Sequence, residues 1–419
     1  MTARIARWSL IALTVVLLAI WLPQVKNLLF EYRFGKTQLF YSPVIEKFIY
    51  TELVGAGHQF VYRDQDGRDY DREAFEQLIP FIYYKNMELW GKLPLELAGQ
   101  TFDKAAIRAE RLVLEFEPRD LPEHSPRIPL FPLLESNPGR SRLRFPEDIL
   151  RPGAALTFIN SDANRRESEL TDSFTRALAK AGFVFPVRAT FARVSILKAF
   201  DAGHFLIDDQ GKLFQLKRVA GAPWVRSVPL SEGFRVRAIK ISENQGSDFL
   251  GFLLAEDSRL FLLGQGDDPL TPLELPGYDP ERMELKLLFN PLYRTAIYSD
   301  RQEIHAIAMD RAFKPIARYQ RRMAMAAPRL VDTLWDSLTP VNLQWRTPES
   351  RYPRLTPQWH GEKAAIGMSM ALVLALAWLR WRRAPLLGNW ASLILVALTG
   401  FLGLIALLLF PPEAESASS

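Results

Sequence analysis

Apolar residues crowd the two ends of the chain, and between the ends they fall at helix and strand spacings. The first apolar run, WSLIALTVVLLAIWLP from Trp8 to Pro23, carries no charge. The second, AAIGMSMALVLALAW, extends from Ala364 to Trp378, and the third from about Trp390 to Phe410. Each approaches the ~20 residues needed to cross a hydrocarbon core of about 30 Å. Three spans are therefore expected, over 1–26, 363–383 and 388–411. The first run ends in the bulky Ile20, Trp21, Leu22 and Pro23 rather than in small residues. That ending predicts an uncleaved anchor instead of a removable signal.

The middle of the chain has the pattern of a folded domain outside lipid. HQFVYRDQDGRDYD alternates apolar residues and then reaches Asp66-Gly67, a hairpin signal. Apolar positions from Phe75 to Trp90 have helical spacing, with Asp71 placed to cap the helix and Pro80 to divide it. Residues 118–153 are rich in proline and predict an extended, irregular stretch. ESELTDSFTRALAKAGF predicts an amphipathic helix over about Glu167–Ala181, ended by Gly182. From Arg188 to Tyr319 three similar stretches recur: FLIDDQGKLFQL, FLLAEDSRLFLL and AIYSDRQEIHAI. Leu213, Leu260 and Ile304 correspond at spacings of 47 and 44 residues, with Asp209, Glu256 and Asp300 four positions earlier. Each unit reads as strand, acidic turn, strand and a proline-containing link at Pro223, at Pro269 or Pro272, and at Pro315. A period in the forties with short strands predicts propeller-like blades.

The expected architecture is an α+β membrane protein with three transmembrane helices and a large periplasmic domain. A mixed α/β region covers 27–186, a β-rich, propeller-like repeat region 187–320, and a helix-and-loop return to the membrane 321–362.

Composition sharpens this picture little. Among 419 residues, 48% are hydrophobic and 24% charged, as in folded proteins. The net charge of +5 is too small and dispersed to predict a nucleic-acid partner. The chain has no cysteine, which excludes disulfides, thiolate metal sites and a cysteine nucleophile. Placement of charge says more. Short loops rich in Lys and Arg stay cytoplasmic. Arg380, Arg382 and Arg383 place the loop between the second and third runs inside, and Arg4 and Arg7 place the N-terminus inside. Residues 27–362 are then outside, which in a bacterium is the periplasm. The acidic tail PPEAESASS suits the outside too.

Candidate chemistry is sparse. Asp64, Asp66 and Asp69 resemble the start of a calcium loop, but Phe75 occupies the twelfth position where a bidentate Glu is needed. No phosphate-loop, dinucleotide, zincin or nucleophile-elbow motif occurs. His58, His124, His204, His305 and His360 lack metal-ligand spacing, and Glu115, Glu117 and Glu123 read as a solvated strand. Arg140, Arg142 and Arg144 alternate along an extended segment and could face an anion or lipid heads. Gly367, Ala371 and Ala375 put small side chains on one face of the second span, and Gly400 and Gly403 do the same in the third. The expectation is a non-enzyme with no cofactor and no metal.

DGRDYDREAFEQLIPFIYYKNM, GKLP at 91–94, PLFPLLESNPGRSRLRFPEDILR and LIDDQGKLFQLKRVAGAPWVRSV together resemble an uncharacterised family of bacterial membrane proteins, domain of unknown function 4857. The resemblance covers most of the chain. It implies no reaction and no site residues, and it implies company with ATP-driven transporter components. Three functions are carried forward: an accessory inner-membrane protein contacting membrane lipid and transporter subunits, a periplasmic ligand sensor, and an envelope enzyme of unfamiliar chemistry built from Asp64, Glu115, His204 or His305.

Overall fold

The computed structural model describes residues 2–30, 36–54, 59–126, 128–266, 269–327, 329–345, 347, 349–353 and 355–411. His58, the acidic tail after 411 and the Arg4 side chain lie outside the described residues. The chain divides into two compact units, one of residues 1–34, 54–59 and 324–419, the other of 35–53 and 60–323. The first unit opens with helix α1, Thr2–Phe30, and is taken up again below.

The second unit is a mixed α/β body of antiparallel sheets. Strands β1 (Gln38–Ser42), β2 (Lys47–Leu53), β3 (Phe60–Asp64) and β4 (Asp69–Tyr70) form the first sheet. The Asp66-Gly67 turn joins β3 to β4, and Asp64 locks it by accepting hydrogen bonds from the Asp66 and Arg68 amides and the Tyr70 hydroxyl. Helix α2 (Arg72–Leu78) starts where Asp71 accepts from the Ala74 amide at 2.7 Å. Pro80 separates it from α3 (Tyr84–Leu89), because proline offers no amide to continue the ladder. A small hairpin, β5 (Leu95–Leu97) and β6 (Gln100–Phe102), and helix α4 (Lys104–Glu110) follow.

Strand β7 (Leu112–Phe116) leaves this region and is used later. The proline-rich stretch is irregular up to β8 (Asp148–Arg151), which pairs with β9 (Thr157–Asn160), itself paired with β10 (Arg165–Arg166). Helix α5 (Ser168–Lys180) buries Thr171, Phe174 and Leu178, one face at helical spacing.

Three antiparallel meanders complete the unit. The first is β11 (Ala189–Phe191), β12 (His204–Ile207), β13 (Leu213–Val219) and β14 (Ala222–Val228). The second is β15 (Val236–Ile241), β16 (Phe249–Ala255), β17 (Leu260–Gly264) and β18 (Leu270–Leu273). The third is β19 (Glu284–Phe289), β20 (Arg294–Ser299), β21 (Glu303–Met309) and β22 (Pro315–Arg322), with β7 added beside β19.

The meanders bear on the expected repeat in two ways. Leu213 and Leu260 open β13 and β17, and Ile304 is the second residue of β21, so the three hairpins are the aligned stretches. The carboxylates that close the turns differ at two of the three positions. Asp208 accepts from the Gln210 and Lys212 amides, Asp257 from Arg259, and Asp300 from Gln302 and Glu303. In the first two turns the working residue is therefore the neighbour of Asp209 and of Glu256. Pro223, Pro272 and Pro315 do not lie in links. They sit in β14, β18 and β22, each an outer strand with one open side, where a missing amide costs no ladder bond.

The sheets pack one on the next in series, and none closes into a barrel. Leu150 and Phe158 of the β8–β10 sheet share a core with Phe174, Leu206 and Phe214. Phe205 and Leu213 of the first meander pack with Ile239 and Leu253 of the second. Phe252 and Leu262 of the second pack with Phe116, Leu285 and Leu287. Tyr41 meets Tyr293 at 5.1 Å and Phe48 stacks on Tyr319 at 5.7 Å, which joins the first sheet to the third meander. Each buried phenylalanine contributes about 1.5–3 kcal/mol of burial.

The first unit is helical. After β22 come α6 (Leu330–Leu338) and a hairpin of β23 (Val341–Gln344) and β24 (Thr356–Trp359). Helix α7 runs from Lys363 to Trp381. Among the described residues, two helices are long and apolar enough to cross a membrane, Ile5–Phe30 within α1 and Lys363–Trp381. The third apolar run, expected as one span over 388–411, is instead two short helices, α8 (Trp390–Thr399) and α9 (Phe401–Leu409). Gly400 divides them at φ +58 and ψ −132, a conformation open to glycine and outside the helical range.

Candidate functional site

The seam between the first two meanders is where polar chemistry and open space meet. β11 leads into the segment 192–203, and this segment brings Lys198 and Asp201 into the interior. Lys198 donates to Glu243 at 2.7 Å, to Asp201, and to the Arg193 carbonyl at 3.0 Å. All three charged side chains are at most 3% exposed. Glu243 also accepts from the Ala202 amide at 2.8 Å. Burial pushes its carboxyl up, against the pull of Lys198. The second oxygens of Asp201 and Glu243 have no hydrogen-bond partner.

His204, at the start of β12, lies beside this cluster. Burial holds its imidazole down at about 4, so the ring is neutral at pH 7. Its Nδ1 is buried without a partner, and its ring meets Phe131 edge-on at 5.7 Å. Lys217 is likewise lowered by burial and by Arg226.

Phe131 also walls an open cleft of about 430 Å³ on the same seam. The walls are largely apolar, from Pro122, Pro129, Pro152, Val187 and Phe191. The two arginines at the cleft are paired, while the Glu256 carboxylate has no ion pair among the described residues. Arg188 pairs with Asp209, and Arg237 with Glu281 and with Glu123 at 3.4 Å. Burial depresses Arg237, but those two carboxylates outweigh it and raise its pKa. Thr190 in the lining is 8% exposed, and its buried hydroxyl has no hydrogen-bond partner among the described residues. The cleft can seat an apolar or proline-rich segment. Among the described residues it holds no nucleophile–base pair.

The residues singled out in the sequence are dispersed. Asp64 serves its turn. Glu115 on β7 pairs with Lys286, and Glu117 with Arg119. His305 on β21 stacks flat on Tyr298 at 5.0 Å. Among the described residues no hydrogen bond or ion pair joins any two of Asp64, Glu115, His204 and His305. None of the described residues forms a group of three His, Asp or Glu side chains that could hold a metal ion. His124 pairs with Glu281, and the His360 ring bonds the Thr339 carbonyl at 2.6 Å.

Arg140, Arg142 and Arg144 are exposed around the buried Leu143, and no ion pair or hydrogen bond engages them among the described residues. Gly367, Ala371 and Ala375 lie on one buried face of α7. A Cβ at Gly367 would fall 3.1 Å from the Leu338 Cα, so α6 occupies that position. Ala371 and Ala375 pack with Val396, Leu404 and Leu407.

Sequence reasoning passed over Lys198, Asp201, Glu243 and Thr190. Lys198, Asp201 and His204 stand three residues apart, but only the packing of two meanders brings Glu243, 45 residues away from Lys198, into the same cluster.

Residues 38–309, about two thirds of the chain, match the family model described as Domain of unknown function (DUF4857). Among curated proteins, no match to the chain is found.

Proposed function

Since the chain belongs to the DUF4857 family, whose description assigns no activity, we propose its function from geometry: a non-enzymatic protein of the bacterial inner membrane whose β-rich unit binds a partner in the periplasm. The partner is a transporter complex of the ATP-driven class, to which this chain is an accessory component. The observation that carries this reading is the pairing of two unlike units. One has long helices with outward apolar side chains, such as Trp21, Leu28, Val373 and Trp381. The other is a large β-rich body with an apolar-walled cleft whose two arginines, Arg188 and Arg237, are already paired. The basic residues Arg7, Arg380, Arg382 and Arg383 support a cytoplasmic N-terminus and a cytoplasmic loop after α7. The serial packing of the meanders supports a partial, propeller-like arc, whose outer strands and cleft are partner surfaces.

A second reading is favoured by the open, apolar-walled cleft, namely a periplasmic ligand-binding module. The free arginines at 140, 142 and 144 add a surface for anionic ligands or lipid heads.

The test is affinity purification of the tagged chain from membranes in mild detergent, with partners identified by mass spectrometry. A stoichiometric ATPase or permease is the expected result. A chain that emerges alone overturns the accessory-subunit reading and transfers the weight to ligand binding.

A further inference from the structure

We propose that the third apolar run is a re-entrant helical hairpin, tipped at Gly400, so that the C-terminal tail emerges on the same side as the N-terminus. The inference rests in part on the membrane reading above, and it replaces a straight third span with its tail on the far side.

Five contacts within the helical unit carry it. In a continuous helix, residues 396 and 403 would lie about 10 Å apart along the axis. A Cβ at Gly403 would fall 3.1 Å from the Val396 Cα and 3.2 Å from the Leu395 carbonyl oxygen. The chain therefore folds back on itself at Gly400. Val396 of α8 and Leu404 and Leu407 of α9 all share one core with Ala371 and Ala375, a single turn of α7. Both short helices thus lie beside the same level of α7, which a straight span cannot achieve.

The ends of the hairpin are also placed. A Cβ at Gly400 would fall 2.9 Å from Pro340 Cδ. Pro340 follows α6, whose Asp332 pairs with Lys26 near the end of α1 at 2.7 Å. The tip therefore points toward the end of the unit where α1 finishes. At the opposite end, the Arg7 Nε donates to the Phe410 carbonyl at 3.0 Å. So α9 finishes beside the start of α1. Arg380, Arg382 and Arg383, at the C-terminus of α7, precede the start of α8 by one short loop.

Length agrees with this path. Ten and nine residues make helices of about 15 and about 14 Å, each near half of the ~30 Å core. Some of the tip's polar groups are satisfied internally, which lipid favours. The Gly400 amide donates to Val396, the Gly400 carbonyl accepts from Leu404, and the Thr399 hydroxyl donates to Leu395. The acidic tail does not oppose a cytoplasmic end, because the charge rule counts Lys and Arg and gives Asp and Glu little weight.

The absence of native cysteine makes the test clean. Single variants Gln245→Cys in the β-rich unit, Leu386→Cys in the loop after α7 and Ser416→Cys in the tail are probed with a membrane-impermeant maleimide, in intact spheroplasts and in inverted vesicles. The expected result is that Ser416→Cys and Leu386→Cys react from one side and Gln245→Cys from the other. Reaction of Ser416→Cys from the Gln245 side overturns the hairpin and restores the straight span. If Leu386→Cys and Gln245→Cys react from the same side, the membrane reading itself fails. The hairpin is then decided by the Arg7→Cys/Phe410→Cys pair in the purified full chain. A short bis-maleimide joins that pair if α9 returns to α1. It leaves the pair unjoined, and overturns the proposal, if α8 and α9 run straight.

Discussion

Replacing Asp148 by alanine should destabilise the β-rich unit more than any surface change can. Asp148 on β8 accepts two hydrogen bonds from Arg218 on β13, at 2.9 and 2.5 Å. Each side chain is 11% exposed. The guanidinium also lies over Phe158 at 5.6 Å and Phe174 at 5.8 Å, so aromatic rings bound the pair on one side. Removing one partner leaves a buried charge uncompensated, at a cost of about 3–5 kcal/mol. For a unit of this size each kcal/mol moves the melting temperature by about 2–4 °C, so the expected fall is about 6–20 °C. Thermal unfolding of the full chain in one detergent measures it, and hydrogen exchange locates it in β8, β9 and α5. The double variant Asp148→Leu/Arg218→Met removes both charges while keeping volume, and it should recover most of the loss. A loss below about 1 kcal/mol for the single variant, the range of an exposed pair, would refute the reasoning.

Three further outcomes are expected. His204 is neutral in the fold and ordinary in the unfolded chain, so the unfolded chain binds the extra proton between pH about 6.5 and 4. Stability should fall across that window by up to ~3 kcal/mol, offset in part by the raised carboxyl of Glu243, and His204→Gln should flatten the slope; an unchanged slope in pH-dependent denaturation rejects this. Glu135 accepts from the Asn137, Ala220 and Gly221 amides, and these outweigh burial to hold its pKa down. Its contribution is present above the ordinary glutamate range and is lost as pH falls through the lowered value, so Glu135→Gln should cost ~1 kcal/mol at pH 7 and less at pH 3 in the same assay. Gly367→Val would drive methyl groups into the Ser337–Leu338 backbone, and the purified chain should lose the α6–α7 contact, read as faster proteolysis after Arg329; unchanged proteolysis counts against that packing.

Local chemistry is what the sequence determined. Asp71, Pro80 and Gly182 bound their helices, Asp66-Gly67 its hairpin, and the repeat at Leu213, Leu260 and Ile304 its strand pairs, because caps, turns and alternation act within a few residues. The small-residue face at Gly367, Ala371 and Ala375 was legible for the same reason, as periodicity alone defines it. What fills that face was a tertiary matter. So was the fate of the third apolar run: a hydropathy window cannot distinguish a straight helix from two that fold back at Gly400, since both bury the same side chains. The seam cluster of Lys198, Asp201, His204 and Glu243 and the Asp148–Arg218 pair were invisible for a different reason. Glu243 stands 45 residues from Lys198 and Arg218 70 from Asp148, and an ion pair across such a gap leaves no local pattern until two sheets pack and exclude water from between them.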